Sequence, residues 1–291
     1  MPQLSAATEV IGGAQIKQIV HPTDCSPYGT SAFAHALRIA IATKADLCLL
    51  HVPSADDAGR QPEFPQPQRL LDQWGMIDEN NEQANLPASV AGGTSARVTN
   101  ITVDAQNPVE GISRFISSST TDLVVMATLG RDGLEHWLKG SIAESAFRRF
   151  SVPTLFINSR SHGFVQQVSG DMKLRRVLIP IDHGPSPEPA IEYVWRFCRA
   201  ITGYDVKIEL LHVGSNAPVV RATTSALAPL PVMIRYGNVV NSILDAALEY
   251  DVDLIGMPTA GHHGILDGLR GSTTERVLRQ APCAVLAIPA A

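Results

Sequence analysis

The 291-residue sequence carries no surplus of positive charge: 23 lysines and arginines face 28 aspartates and glutamates, for a formal net charge of −5 and a pI near 6.0. Without a basic field to draw in a polyanion, nucleic acid is not an expected partner, which leaves room for a single bound nucleotide. Cysteine is scarce and unpatterned. Cys25, Cys48, Cys198 and Cys283 form neither a C-x2-C pair nor the framework of a small disulfide-stapled domain, so reduced thiols in a cytosol are expected. Cys48 and Cys283 lie in apolar runs and read as core. No stretch approaches the roughly 20 apolar residues that span a bilayer, and residues 1–13 lack a basic region followed by a long apolar run, so the expectation is a soluble cytoplasmic protein with no membrane partner. Enzyme signatures are missing as well: there is no G-x4-G-K-[S/T] loop, no G-x-G-x-x-G after the first strand, no G-x-S-x-G elbow and no H-E-x-x-H. No nucleophile and base are named by the sequence, so no catalytic residue is assigned. His262 and His263 are adjacent but have no spaced companion ligands, so no metal site is assigned either.

What is present is globular composition, 45% apolar and 18% charged, in a chain long enough for two cores of roughly 140 residues each. The dominant feature is an internal repeat. Residues 122–157 superpose without a gap on residues 253–288, a shift of 131 that matches Asp122, Leu123, Met126, Thr128, Gly130, Gly133, Leu138, Gly140, Ser141, Glu144, Arg148, Leu155 and Ile157 with identical residues. The openings correspond too. Ile19-Val20-His21-Pro22-Thr23-Asp24 faces Val177-Leu178-Ile179-Pro180-Ile181-Asp182, and Leu49-Leu50-His51-Val52 faces Leu210-Leu211-His212-Val213. Two domains are expected, over residues 14–160 and 172–291, joined by a short polar linker over 158–171.

Within the first half, short apolar runs alternate with helical periods, the pattern of a doubly wound α/β domain whose mostly parallel sheet is covered on both faces. Strands are predicted over 18–23, 47–52, 96–103, 122–127 and 153–157, with helices over 31–43, 109–117 and 141–150, giving a five-stranded sheet. A further helical candidate spans 68–81. The second half is shortened between its second and third strands and is expected to lack that helix.

Pro22-Thr23-Asp24 and Pro180-Ile181-Asp182 after the first strands, Leu-His-Val at the second, and a glycine spacing after the fourth together resemble the universal stress protein family, of the UspA-like type, with two such domains in one chain. The resemblance spans nearly the whole chain and implies an adenine nucleotide alpha hydrolase-like fold. The nucleotide-binding type in that family has the motif G-x2-G-x9-G-[S/T]. Gly130-x9-Gly140-Ser141 and Gly261-x9-Gly271-Ser272 reproduce its longer part. The implied ligand is ATP, with Mg2+ as a companion, and the implied role is in stress response through nucleotide-dependent conformation or partner binding. A slow ATP hydrolase and a nucleotide-free interaction protein are the alternatives. Family domains pair through their last strands, so the halves are expected to pair within the chain about a pseudo-two-fold axis, with homodimer formation left open.

A phosphate site at these motifs is physically sensible, because glycines let backbone N–H groups approach an anion and a helix N-terminus adds unpaired donors. Ser141 and Ser272 either contact phosphate or cap the helix. By resemblance, Asp24 and Asp182 contact the adenosine part at the carboxyl edge of the sheet, or else cap the helix that follows, while Val52 and Val213 offer main-chain groups to adenine. Arg131 and His262 either reach phosphate or are solvated loop residues. His51 and His212, inside strands, read as packed core. The first motif glycine is replaced by Ala127 in one half and Pro258 in the other. Ala127 keeps its N–H and Pro258 has none, so the first half is expected to bind more tightly.

Overall fold

A computed structural model describes residues 16–53, 61–76, 89–90, 94–128, 152–158, 163–221, 230–259 and 273–290. The first half runs β1 (Gln18–Pro22), α1 (Thr30–Thr43), β2 (Asp46–His51), α2 (Pro67–Gln73), β3 (Val98–Thr102), α3 (Pro108–Ser118), β4 (Leu123–Ala127) and β5 (Thr154–Ile157). The second runs β6 (Arg176–Pro180), α4 (Glu188–Thr202), β7 (Lys207–Val213), β8 (Val232–Arg235), α5 (Val239–Glu249), β9 (Leu254–Thr259), α6 (Thr273–Gln280) and β10 (Ala284–Pro289). A separate antiparallel pair joins Ser89–Val90 to Thr94–Ser95. The helix expected over 68–81 is shorter in its described part, ending at Gln73, and residues 77–88 lie outside the described residues. Between β7 and β8 no helix occurs among the described residues. The helix expected over 141–150 lies outside them.

The ten main strands form one sheet in the order β8-β7-β6-β9-β10-β5-β4-β1-β2-β3. Each half contributes five mutually parallel strands in the same winding, the third outermost and the fifth innermost. The near-continuous apolar runs of β1, β2, β4, β6, β9 and β10 are buried along almost their whole length, as strands covered on both faces require.

The two five-stranded sheets are not separate, because β5 and β10 pair antiparallel and merge them. The register locates the symmetry. Leu155 faces Leu286, its own counterpart in the repeat, while Phe156 faces Val285 and Thr154 faces Ala287, so the pseudo-two-fold axis passes between the two leucines. Pairing the last strands to each other leaves neither with an unpaired edge. α1 packs against its counterpart α4 beside this seam, and one hydrophobic cluster includes Phe33 and Leu37 of α1, Ile191, Val194 and Trp195 of α4, and both seam leucines.

Polar fastenings repeat as faithfully as the strands. Asp122 Oδ2 accepts the N–H groups of Lys17 and Gln18 at 2.8 and 2.9 Å, and Asp253 Oδ2 accepts those of Arg175 and Arg176 at 2.7 and 2.9 Å. Each aspartate thereby fixes the entry of its half's first strand beside its fourth. Asn107 caps α3 by accepting the Glu110 N–H at 3.0 Å, and Asn238 caps α5 by accepting the Asn241 N–H at 3.1 Å. These asparagines are also 131 residues apart, so the ungapped repeat begins upstream of Asp122.

The segment expected as a short polar linker packs as a strap over residues 163–174. Phe164, Val165 and Leu174 are buried in the central cluster, and Val165 bridges to Met172. His35 of α1 donates through Nδ1 to the Ser31 carbonyl at 2.7 Å and accepts the Phe164 and Val165 N–H groups on Nε2, both at 3.0 Å. Arg38 Nε donates to the Gly170 carbonyl at 2.9 Å, and Trp74, just beyond α2, donates to the Gln167 carbonyl at 2.9 Å. The glycines that made this stretch read as loop admit the close approach of His35 and Trp74 instead: a Cβ on Gly163 would lie 2.3 Å from His35 Nε2, and one on Gly170 2.6 Å from Trp74 Cδ2.

Candidate functional site

In a doubly wound sheet, ligands bind outside the carboxyl ends of the strands, where the winding reverses. Here that point lies between β1 and β4 in the first half and between β6 and β9 in the second. At both places the ladder is short. β1 and β4 pair only at Ile19–Leu123 and Val20–Val124, and β6 and β9 only at Val177–Leu254 and Leu178–Ile255. Beyond these rungs the two ladders are not continued toward the carboxyl edge. In the first half His21 Nδ1 donates to the Val125 carbonyl at 2.8 Å just past the last rung, and burial lowers its pKa from 6.5 to about 4, so the ring is neutral there.

Asp24 is held at this edge by a compact turn. Pro22, the last residue of β1, is buried and paired with Leu50. Thr23 donates its N–H to the Leu50 carbonyl at 2.9 Å, and its own carbonyl accepts from His51 Nδ1 at 2.9 Å. Thr23 Oγ1 accepts the Cys25 N–H at 3.0 Å, Asp24 Oδ1 accepts the Ser26 N–H at 2.9 Å, and Cys25 has a left-handed φ of 58°. Asp24 therefore organises the turn after β1. It does not cap α1, whose N-cap is Gly29 without a side-chain bond.

Val52 follows β2 directly, and its buried side chain packs against Gly111 of α3, where an added Cβ would come within 2.8 Å of both Val52 methyl carbons. Ala127 ends β4 opposite Ile157. Next to it, Thr128 donates its N–H to the Ile157 carbonyl at 3.0 Å while its buried Oγ1 has no hydrogen-bond partner among the described residues.

The second half repeats the frame with different occupants. Ile181 donates its N–H to the Leu211 carbonyl at 2.8 Å and accepts from His212 Nδ1 at 3.1 Å. Asp182 follows, but its side chain is 73% exposed, with Oδ1 accepting the His183 N–H at 2.8 Å and lying 3.9 Å from His212 Nδ1. His183, where the first half has Cys25, donates from Nε2 to the Asn216 carbonyl at 2.8 Å and sets its ring against His212, with centroids 5.9 Å apart. Val213 closes β7. Pro258 lies within β9, paired with Ile288 on the β10 side, and Thr259 beyond it donates its hydroxyl to the Ile288 carbonyl at 3.2 Å.

The fold thus brings Pro22, Thr23, Asp24, Val52 and Ala127 to one carboxyl edge, and Asp182, Val213 and Pro258 to the equivalent edge of the other half. Gly130, Arg131, Gly140, Ser141, Gly261, His262, Gly271 and Ser272 lie outside the described residues. Reading His51 and His212 as core captures their burial but misses their role. Both reach from the second strand to the carbonyl preceding the aspartate, and the signal was available in the Leu-His-Val register shared by the halves.

Comparison with known proteins agrees with this architecture. The sequence profile of the universal stress protein family matches residues 15–158 and 220–289. A universal stress protein of Methanocaldococcus jannaschii, MJ0531, is 28% identical over 145 residues, which is 48% of this chain and 81% of that protein. Among solved structures, a universal stress protein from Archaeoglobus fulgidus superposes with a TM-score of 0.62 at 20% identity, covering 95% of this chain and 97% of its own. A functionally unknown protein from Pseudomonas aeruginosa, PA1789, reaches the same TM-score at 13% identity, covering 95% and 93%. At these identities the superpositions speak for the fold, and the profile match, which extends over most of the sequence, speaks for descent. The chain belongs to the universal stress protein family, with the family's fold present twice.

Proposed function

We propose that this protein binds an adenine nucleotide, ATP, at the carboxyl edge of its first half, and acts in stress response through nucleotide-dependent conformation or partner binding. What supports this reading is that Asp24, Val52 and Ala127 all lie at the carboxyl ends of strands next to the point where the winding reverses and the β1–β4 ladder stops. A polar ligand fits this edge. The half-buried Asp24 carboxylate suits ribose hydroxyls, and the Thr128 hydroxyl, without a partner among the described residues, and the Ala127 main chain precede the glycine motif, whose N–H groups would receive phosphate. Mg2+ would accompany the phosphates.

The second half is the weaker site. Its aspartate projects into solvent, His183 reaches across to Asn216, and Pro258 has no N–H to donate. It serves chiefly to complete the sheet and core. Mass spectrometry of small molecules released on denaturing the freshly purified protein tests the proposal. Adenine nucleotide approaching one equivalent per chain is expected, falling to background in Asp24→Ala. Nucleotide-free protein that also fails to take up added ATP contradicts it.

A further inference from the structure

Building on the nucleotide reading, we infer that His51 and His212 are positioning residues that each replace the last rung of a parallel ladder, and that in the first half this substitution releases the Val52 amide for the ligand's base. In a regular parallel ladder, a residue that donates to one partner carbonyl accepts at its own carbonyl the N–H found two residues further along the partner strand. Thr23 donates to Leu50, so its carbonyl should receive the Val52 N–H. It receives the His51 ring at 2.9 Å instead.

The same displacement occurs in the second half, where Ile181 donates to Leu211 and its carbonyl takes the His212 ring at 3.1 Å rather than the Val213 N–H. Two halves that differ in the residue before the aspartate, in the residue after it, and in the length of the segment between their second and third strands retain this contact. On the other side of β2 the backbone ladder continues, since Val103 donates to the His51 carbonyl at 2.9 Å. The interruption is therefore confined to the side facing the turn that carries Asp24.

The consequence is local and chemical. The Val52 N–H has no hydrogen-bond partner among the described residues, although Val52 itself is buried. Buried backbone donors are almost always paired, so an orphan at the ligand-binding edge of a sheet points to a partner that arrives from outside. A purine edge offers ring-nitrogen acceptors for such a donor. Histidine suits the task because its ring bridges from the strand to the turn while its neighbouring amide stays turned toward the cleft. Phe64 packs edge-on to the His51 ring, with centroids 6.3 Å apart.

Amide hydrogen exchange on the intact chain, read at Val52, provides the test. In the wild type, the Val52 amide should exchange at least tenfold faster than the ladder-bonded Thr23 and Val103 amides, and should become protected when ATP is added. In His51→Phe the ladder should close onto Val52, protecting that amide without nucleotide and weakening ATP binding at least tenfold. In His51→Asn, whose side-chain amide places a donor near the Nδ1 position, wild-type exchange and affinity should be retained. Should the phenylalanine variant not fold, the wild-type and asparagine proteins still decide the matter. A Val52 amide already protected in the nucleotide-free wild type, or unaltered ATP affinity in a folded His51→Phe protein, overturns the inference while leaving the nucleotide reading intact. A fast Val52 amide that saturating ATP leaves fast overturns both.

Discussion

His21 and His35 are buried inside the first half with one ring nitrogen of each committed as a donor to a backbone carbonyl, and burial lowers both pKa values from 6.5 to about 4. The unfolded chain takes up protons at these residues as pH falls below about 6.5, whereas the folded chain resists until about 4, so stability must decline across that window. A shift of this size is worth on the order of 3 kcal/mol for each histidine. Urea unfolding at pH 7 and pH 4.5 should show a clear drop in midpoint; equal midpoints would mean that the rings are not held neutral. For His35 the strain is specific, because a proton on Nε2 would confront the two N–H groups it now accepts. At this scale the sequence was informative about position, setting Asp24 just after the first strand, but it left the residue's job open between ligand contact and helix cap, and the structure shows the carboxylate holding the turn through the Ser26 N–H. It was silent where the job depends on the partner: nothing about His35 announces that the N–H groups it accepts lie about 130 residues away, and His51 looked like any apolar-run histidine until its ring was seen to stand in for a backbone amide.

Among the elements, the strands were the most legible, because burial on both faces forces continuous apolar runs whose period needs no tertiary knowledge. All five strands predicted for the first half are present, with ends differing by a residue or two. The connection between halves shows more packing than a short polar linker requires. Gly163 and Gly170 are where side chains from α1 and the end of α2 press against the strap, a contact that no local pattern in the sequence reveals. Gly163 has a φ of 57°, and a methyl group there would meet the His35 ring head-on. Gly163→Ala should therefore cost on the order of 1–3 kcal/mol in chemical denaturation, and a loss below about 0.5 kcal/mol would show that the strap yields freely. The strap also bears on domain boundaries. We propose that residues 163–174 belong structurally with the first half, because His35, Arg38 and Trp74 all bond to this segment.

For the whole molecule, duplication explains the architecture. A domain that pairs through its last strand can satisfy that need with its own copy, and the Leu155–Leu286 rung marks the centre of the arrangement. The fused sheet ends instead in β3 and β8, so any further assembly must use other surfaces or those outer edges. Duplication also frees the halves to diverge, and the divergence lies at the carboxyl edges: Ala127 against Pro258, Cys25 against His183, a half-buried Asp24 against an exposed Asp182. The substitution of proline for alanine was legible in the sequence because it removes a donor outright. The contrast in aspartate burial was not, since it depends on how each turn folds. The central claim is that one half carries the nucleotide and the other supports it. Calorimetric titration of ATP into the full chain, with Asp24→Ala and Asp182→Ala compared under the same salt and Mg2+, tests it most directly. One tight site per chain that weakens at least tenfold in Asp24→Ala and is unchanged in Asp182→Ala is the predicted result; two equal sites, or a tight site lost with Asp182 and kept without Asp24, would contradict it.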